Sequence, residues 1–382
     1  LDTLTHALSG ALFARLVAAR RPRSNFPALE SEGSHHGRFA AFWDGRPGAP
    51  APWQAVVVGF VAAAFPDIDA VVQLAGEVAY LRHHRGITHS LVMAPLWALL
   101  LSGLLALCFA VTRRQKAGWK SLYPLVLGAL LLHIGGDWIT QFGTLLLAPL
   151  SDRRFGLGAM FIIDLVFSGL LLAGLVLAAL LPTRRWPAAA GLAATVLWVG
   201  VAWSGKQQAI AVAEQQAKAQ GWKVEQLVVM PRPASPFNWT VSVYDGSRYH
   251  IAHVNTRRSE PLVASADDNF IRRFSAPFQP ASQATWQSTP RFGDPATTPA
   301  WVAEAWQHEA FAFYRWFALT PALYKVEERR AADGQAERCA FFRDLRFEFP
   351  GREEAPFRYG LCLRGDGAAK VYKLEGGVSM PV

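Results

Sequence analysis

The chain has 382 residues, 52% of them hydrophobic and 18% charged, with a mean hydropathy of +0.16 and a formal net charge of +9. Soluble chains carry about 25% charge, so this composition excludes disorder, a fibrous repeat, a coiled coil and a small disulfide-stapled scaffold. It fits an apolar bundle joined to one soluble domain.

Taken in chain order, residues 4–19 and 56–65 are apolar but short, and they predict half-inserted or re-entrant helices. Residues 91–111 hold no charged side chain. At 1.5 Å per residue such a stretch matches a hydrocarbon core about 30 Å thick. Further apolar stretches cover 122–150, broken by His133 and Asp137, then 160–181, with Asp164 near its start, and 187–203. The expectation is four spanning helices and two shorter ones.

The opening segment places its acid and histidine first and its arginines last, the reverse of a secretory signal. Three basic clusters separate the apolar stretches: Arg20, Arg21 and Arg23; Arg113, Arg114, Lys116 and Lys120; Arg184 and Arg185. All three are mutually consistent as cytoplasmic. Asp67, residues 84–89 and everything after Trp203 then fall on the outer, periplasmic side, although Arg153 and Arg154 fall there too.

After Trp203 the pattern changes. Residues 206–220 read as a polar helix continuing the last span, stopped by Gly221. Residues 223–230 alternate as a strand does, and 238–244 and 248–254 alternate around Asp245-Gly246, a hairpin signal. Residues 299–317 predict an aromatic-rich helix, and 339–349 with 357–363 a second hairpin around Pro350-Gly351. Cys339 and Cys362 come out opposite each other there, either as a disulfide in an oxidising compartment or as two buried thiols. The scattered His250, His253 and His308 read as structural or surface residues. The fold class is α+β: an all-α transmembrane domain over 1–204, then a mixed, β-rich soluble domain over 205–382.

The unusual acids and histidines lie in the membrane half. A carboxylate within a spanning helix costs about 2.5–3.5 kcal/mol, so it persists only when paired, solvated or bound to a cation. Asp2 and His6 stand four apart, on one helix face. Asp67 and Asp69 project from a break made by Pro66, and capping accounts for only one of them. His83, His84 and His89 cluster at the mouth of a span, with Arg85 available for an anionic substrate. His133 and Asp137 share a face at i and i+4, with Gly135 and Gly136 between them. Asp164 reads as a ligand, a partner to a histidine, or a cap. Mixed His and Asp is a ligand set for zinc or a similar divalent ion.

These residues carry a resemblance. DTLTH, AAFPDID, HHRGITHS, LLHIGGDWITQFGT and SDRRFGLGAMFIIDLVF resemble the membrane-bound metal-dependent hydrolase family, which includes LexA-regulated inner-membrane proteins of bacteria. The similarity is strongest over 1–165, and PRPASPFNW resembles the family's C-terminal part. AAFPDID and the His133–Asp137 spacing are more distantly similar to zinc-dependent phospholipase C. That similarity implies His6, Asp67, His89, His133 and Asp137 as metal ligands, and His84 joins them from the histidine cluster. No His or Glu follows Asp137 before Leu150, unlike the phospholipases, so one or two zinc ions are expected.

The function expected is metal-assisted hydrolysis of a phosphoester in a lipid-like substrate, with Asp67 or Asp69 accepting a proton and Arg85 holding phosphate. The alternative is a non-catalytic membrane protein whose polar cluster is structural or ion-conducting. The expected partners are the bilayer and that substrate. Nucleic acid is not among them, because the arginines of the first half flank spans. No HExxH occurs to support a metalloprotease.

Overall fold

The computed structural model describes residues 1–18, 50–112, 117–331, 334–350 and 354–382. Ala19, the clusters around Arg20 and Arg113, and Gly351 of the expected second turn lie outside the described residues. The chain divides into a helical unit, Leu1–Ala75 with His83–Ala202, and a sheet-rich unit, Gly76–Arg82 with Trp203–Val382.

In the helical unit α1 covers Thr3–Val17, α2 Pro52–Ala64, α4 Ala94–Val111, α5 Trp119–Trp138 and α6 Leu165–Leu180; α7, Trp186–Gln220, begins here. Asp2 caps α1: its carboxylate accepts from the Thr5 N–H at 3.0 Å and from the Thr5 hydroxyl at 2.6 Å. Beyond Ala64 the chain tightens into a 3₁₀ helix, Phe65–Ala75, since Pro66 has no N–H to continue the α pattern. A second 3₁₀ turn, Ile87–His89, follows the short α3, Glu77–His83.

Helices α1 and α2 meet at two glycines. A Cβ on Gly10 would lie 2.2 Å from the Gly59 carbonyl oxygen and 2.4 Å from Ala63 Cβ, so only glycine permits this crossing. Around it Ala14, Ala55, Val58, Ala62, Leu122, Leu125 and Leu130 are buried.

Three described helices are long and apolar enough to cross a membrane: Pro52–Ala75, Ala94–Val111 and Trp186–Gln220. A further apolar helix, Leu165–Leu180, has 16 residues. Residues 56–65 belong to the first of the three, in which α2 runs on into the 3₁₀ helix to make 24 helical residues. The stretch 122–150 is helical only to Trp138; the chain then turns through irregular structure tied by the bridges Thr140–Met160 and Thr144–Phe155. The stretch 160–181 is helical only from Leu165, because Asp164 caps there, leaving 16 residues. Residues 187–203 do continue unbroken through 206–220 as α7.

The sheet-rich unit has two five-stranded sheets. The first pairs β1 (Gln226–Pro231), β2 (Asn238–Tyr244), β3 (Arg248–Asn255) and β4 (Gln279–Pro280), with β5 (Gln287–Pro290) also on β3. The hairpin at Asp245-Gly246 forms, with Tyr244 opposite Tyr249 and Gly246 at φ +102°. Ala209, Ala213 and Ala217 of α7 share a core with Trp239, Val241 and Val254 of this sheet. Helix α8 is Phe270–Ser275. The helix expected over 299–317 breaks into α9 (Trp301–Gln307), a 3₁₀ turn and α10 (Ala312–Phe317), because His308 is extended and its side chain caps the turn.

The second sheet runs β10 (Val378–Pro381), β9 (Ala369–Glu375), β8 (Arg358–Arg364), β7 (Ala336–Asp344), β6 (Pro321–Arg330). Its β7–β8 register places Cys339 opposite Cys362, and the two sulfurs are bonded. The disulfide is therefore the alternative realised. Helix α3 belongs to this unit: Lys373 Nζ lies 2.5 Å from Glu77 Oε2.

Candidate metal centre

Four side chains from three chain segments converge inside the helical unit. Asp67 comes from the 3₁₀ helix after α2, His89 from the turn before α4, and His133 with Asp137 from one face of α5. One ligand atom from each lies within 4.8 Å of every other. His89 Nε2 and His133 Nε2 are 2.9 Å apart. Asp137 Oδ2 is 3.2 Å from the first and 3.5 Å from the second. Asp67 Oδ1 stands 3.5 and 3.6 Å from the same nitrogens.

The proton inventory of these rings is informative. His133 Nδ1 lies 2.6 Å from the Ala63 carbonyl, which can only accept, so Nδ1 carries the hydrogen. His89 Nδ1 faces the Thr88 hydroxyl at 2.9 Å and the Asp69 carboxylate at 3.5 Å. His133 Nε2 therefore turns a lone pair toward His89 Nε2 at 2.9 Å, an approach that needs either a hydrogen on His89 Nε2 or a metal ion beside both nitrogens. Among the described residues no hydrogen bond reaches Asp137 Oδ2, which is buried with the two Nε2 atoms beside it.

Distances test the fit of a metal. Ligands about 2.0 Å from a tetrahedral zinc are separated by about 3.3 Å; the five edges that involve a histidine run from 2.9 to 3.6 Å, and the carboxylate–carboxylate edge lies within 4.8 Å. Two imidazole nitrogens and two carboxylate oxygens also suit zinc chemically. The residues present fit a divalent cation.

Residues 1–209 match the sequence profile of the YdjM inner membrane protein family. The chain belongs to that family. It is the LexA-regulated inner-membrane family whose motifs the sequence carries, so the apolar helices are those of an inner-membrane protein. The uncharacterized protein YfhP of Bacillus subtilis (strain 168) is 31% identical over 116 residues, covering 30% of this chain and 34% of that relative. This chain thus spans about a third of the relative's length. No solved structure matches.

The remaining family residues sort themselves around the cluster. His6 lies beside it: its Nε2 is 3.0 Å from Asp137 Oδ1, and its ring stacks on His133 at 3.7 Å. Its position depends on Gly136, where a Cβ would meet His6 Cε1 at 2.9 Å; Gly135 has nothing within 4 Å. Only one of the two glycines is therefore needed for close approach.

Asp69 accepts the Arg85 backbone N–H at 2.7 Å and faces His84 Nδ1 at 3.2 Å. His84 is not among the four residues whose ligand atoms converge. Arg85, expected to be available for substrate, is buried: its guanidinium lies 3.0 Å from Asp137 Oδ1 and donates to Thr140 at 2.8 Å. It adopts φ +56° to do so. His83 is exposed and outside the cluster. Asp2 and Asp164 are helix caps; Asp164 accepts from the Phe167 N–H and from Trp198 Nε1.

Sequence reading missed four supporting groups: Thr3, which donates to Asp67 Oδ2 at 2.6 Å, Thr88, Thr140 and the Ala63 carbonyl. Thr3 and Thr88 adjoin motif residues and were findable on that ground. Thr140 and Ala63 carry no such signal.

Proposed function

We propose that Asp67, His89, His133 and Asp137 hold one divalent cation, zinc foremost, and that the protein hydrolyses a phosphoester of a lipid-like substrate. The observation that carries this reading is the convergence of two Nε2 atoms 2.9 Å apart with carboxylate oxygens of Asp67 and Asp137, the His133 ring being held by the Ala63 carbonyl through Nδ1. Family membership places that pair in an inner-membrane protein. A bound zinc supplies Lewis acidity toward a phosphoryl oxygen and lowers the pKa of water.

The chain's own groups do the rest. His6 and Arg85 neutralise Asp137 from the side away from the Nε2 pair. Asp67 is the ligand open to solvent, at 17% exposure, and its Oδ2, oriented by Thr3, takes the proton of the attacking water. Asp69 is unsuited to that step because Arg85 and His84 occupy its oxygens. The His84–Asp69 pair, with His84 at 20% exposure, returns a proton to the leaving group. The disulfide supports an oxidising, periplasmic location for the sheet-rich unit.

Elemental analysis of detergent-purified protein tests the reading. One transition metal per chain is expected, falling below a tenth in His133→Ala and Asp137→Ala, each still inserted. Full occupancy in both variants would overturn the site. Loaded wild type is then offered phospholipids and polyprenyl phosphates; hydrolysis lost with chelator is expected. Turnover that chelator leaves unchanged would overturn the mechanism.

A further inference from the structure

The sheet-rich unit carries an exposed apolar corner. Val263, Phe270 and Ile271 are 78%, 63% and 51% exposed. They form one surface, because Arg272 Nη2 donates to the Val263 carbonyl at 2.9 Å and draws the preceding loop back onto α8. Arg257, Arg272 and Arg273 are exposed beside them. Over residues 256–275 four arginines face three acids, of which Asp268 is engaged by Arg272 at 3.2 Å.

The placement of this corner is fixed by a short series of contacts. Asn238 Nδ2 donates to the Ser275 hydroxyl at 3.0 Å, the Thr256 N–H donates to the Phe237 carbonyl at 3.0 Å, and Arg257 stacks on Phe237 at 5.3 Å. Pro236 and Phe237 in turn press on α7 at Gly205, where a Cβ would lie 2.4 Å from the Pro236 carbonyl oxygen. Gly205 is two residues past Trp203, where the apolar run of α7 ends. Lys206 Nζ lies 5.4 Å from the Trp203 ring. Tryptophan and lysine together at the end of a span mark the lipid–water boundary. Exposed apolar side chains, with cations around them, are thus linked by a few contacts to the point where the apolar run of α7 ends.

We propose that this corner is an interfacial anchor: Val263, Phe270 and Ile271 enter the head-group boundary of the same bilayer, and Arg257 and Arg273 hold the phosphates of anionic phospholipids. An apolar face bedded about 5–10 Å into the head-group boundary, with basic side chains along its polar side, is the usual form of such contacts. The anchor fixes the sheet-rich unit at a second point besides α7. It stands independently of the metal centre.

The test uses the full chain in nanodiscs of phosphatidylethanolamine and phosphatidylglycerol. Cys108 is replaced by serine and a spin label is attached at Ile271→Cys or, as control, at Val224→Cys. Val224 lies beyond the end of α7, whose stretch from Trp203 to Gln220 rises about 26 Å. The Ile271 label is expected to collide with a water-soluble nickel chelate about tenfold less often than the Val224 label, and to favour dissolved oxygen. Adding Arg257→Glu and Arg273→Glu, or replacing phosphatidylglycerol by phosphatidylcholine, is expected to raise its nickel collisions at least threefold, on the order of the loss of two lipid contacts. Equal nickel access at both labels would overturn the anchor. Insertion indifferent to the glutamates and to phosphatidylglycerol would overturn the arginine–phosphate contact. Dipolar broadening between labels of two chains would assign the corner to a second copy and overturn the bilayer as its occupant.

Discussion

The pairing of Arg85 with Asp137 gives the most quantitative expectation. The guanidinium and carboxylate approach to 3.0 Å, with side-chain exposures of 6% and 0%. At an effective dielectric of 20, unit charges about 4 Å apart attract by about 4 kcal/mol. Breaking a buried pair by removing one partner costs about 3–5 kcal/mol. Asp137→Asn keeps the shape and removes the charge, so in chelator it is expected to lose about 3–5 kcal/mol of stability. Arg85→Met is expected to lose a similar amount, since methionine meets the same φ of +56° without new strain relative to arginine. The double variant is expected to lose at least about 2 kcal/mol less than the two single losses combined, because neither charge is then stranded. The assay is reversible unfolding of micellar protein in dodecyl sulfate, followed by the fluorescence of its 14 tryptophans. Losses that add to within about 0.5 kcal/mol would refute the reasoning, since coupled buried charges cannot be additive.

Three further outcomes follow from contacts elsewhere. Gly136→Ala is expected to weaken metal binding about 10–100-fold by displacing His6, whereas Gly135→Ala, which meets nothing within 4 Å, leaves it unchanged; metal titration of the two variants compares them directly. In the sheet-rich unit burial, aided by Arg232, pushes His253 down to about 4. Its Nδ1 accepts from the Thr240 hydroxyl, which itself accepts from Arg232 Nε. A lowered folded pKa means that the unfolded chain binds the proton first, so stability is complete above pH 6.5 and falls as pH drops toward 4, by at most about 3 kcal/mol. Hydrogen exchange of the β2 and β3 amides across that range reads it, and His253→Asn is expected to flatten the profile. Finally, alkylation of unfolded, unreduced protein is expected to modify Cys108 and to spare Cys339 and Cys362 until a reductant is added; mass spectrometry counts the adducts.

Much of the convergence was legible because an ionisable group in an apolar segment is conspicuous. Asp67, His89, His133 and Asp137 could each be singled out that way, and the i, i+4 spacing put the last two on one helix face. What could not be read was which member of each cluster turns inward. Asp67 and Asp69 are two residues apart, yet only Asp67 reaches the Nε2 pair; Asp69 is turned to the Arg85 backbone. The same holds for His84 and His89, separated by a 3₁₀ turn that hydropathy does not reveal. Arg85 looked like a free cation because its burial depends on a positive φ. Span limits failed for a related reason: Asp164 and the irregular residues after Trp138 end helices within runs that stay apolar. The hairpin at Asp245-Gly246 was readable because its turn chemistry is local.

The end of α2 has a consequence for the imidazole of His133. In the tighter helical geometry that follows Ala64, the carbonyl of Ala63 would look three residues ahead for its donor, and position 66 is a proline. The oxygen is thereby left to a partner from another helix, and His133 Nδ1 fills that role at 2.6 Å. One missing backbone hydrogen thus selects the tautomer of a side chain 67 positions away in sequence. Restoring it with Pro66→Ala would let the ring reverse, and the coordinating face of the imidazole would turn with it.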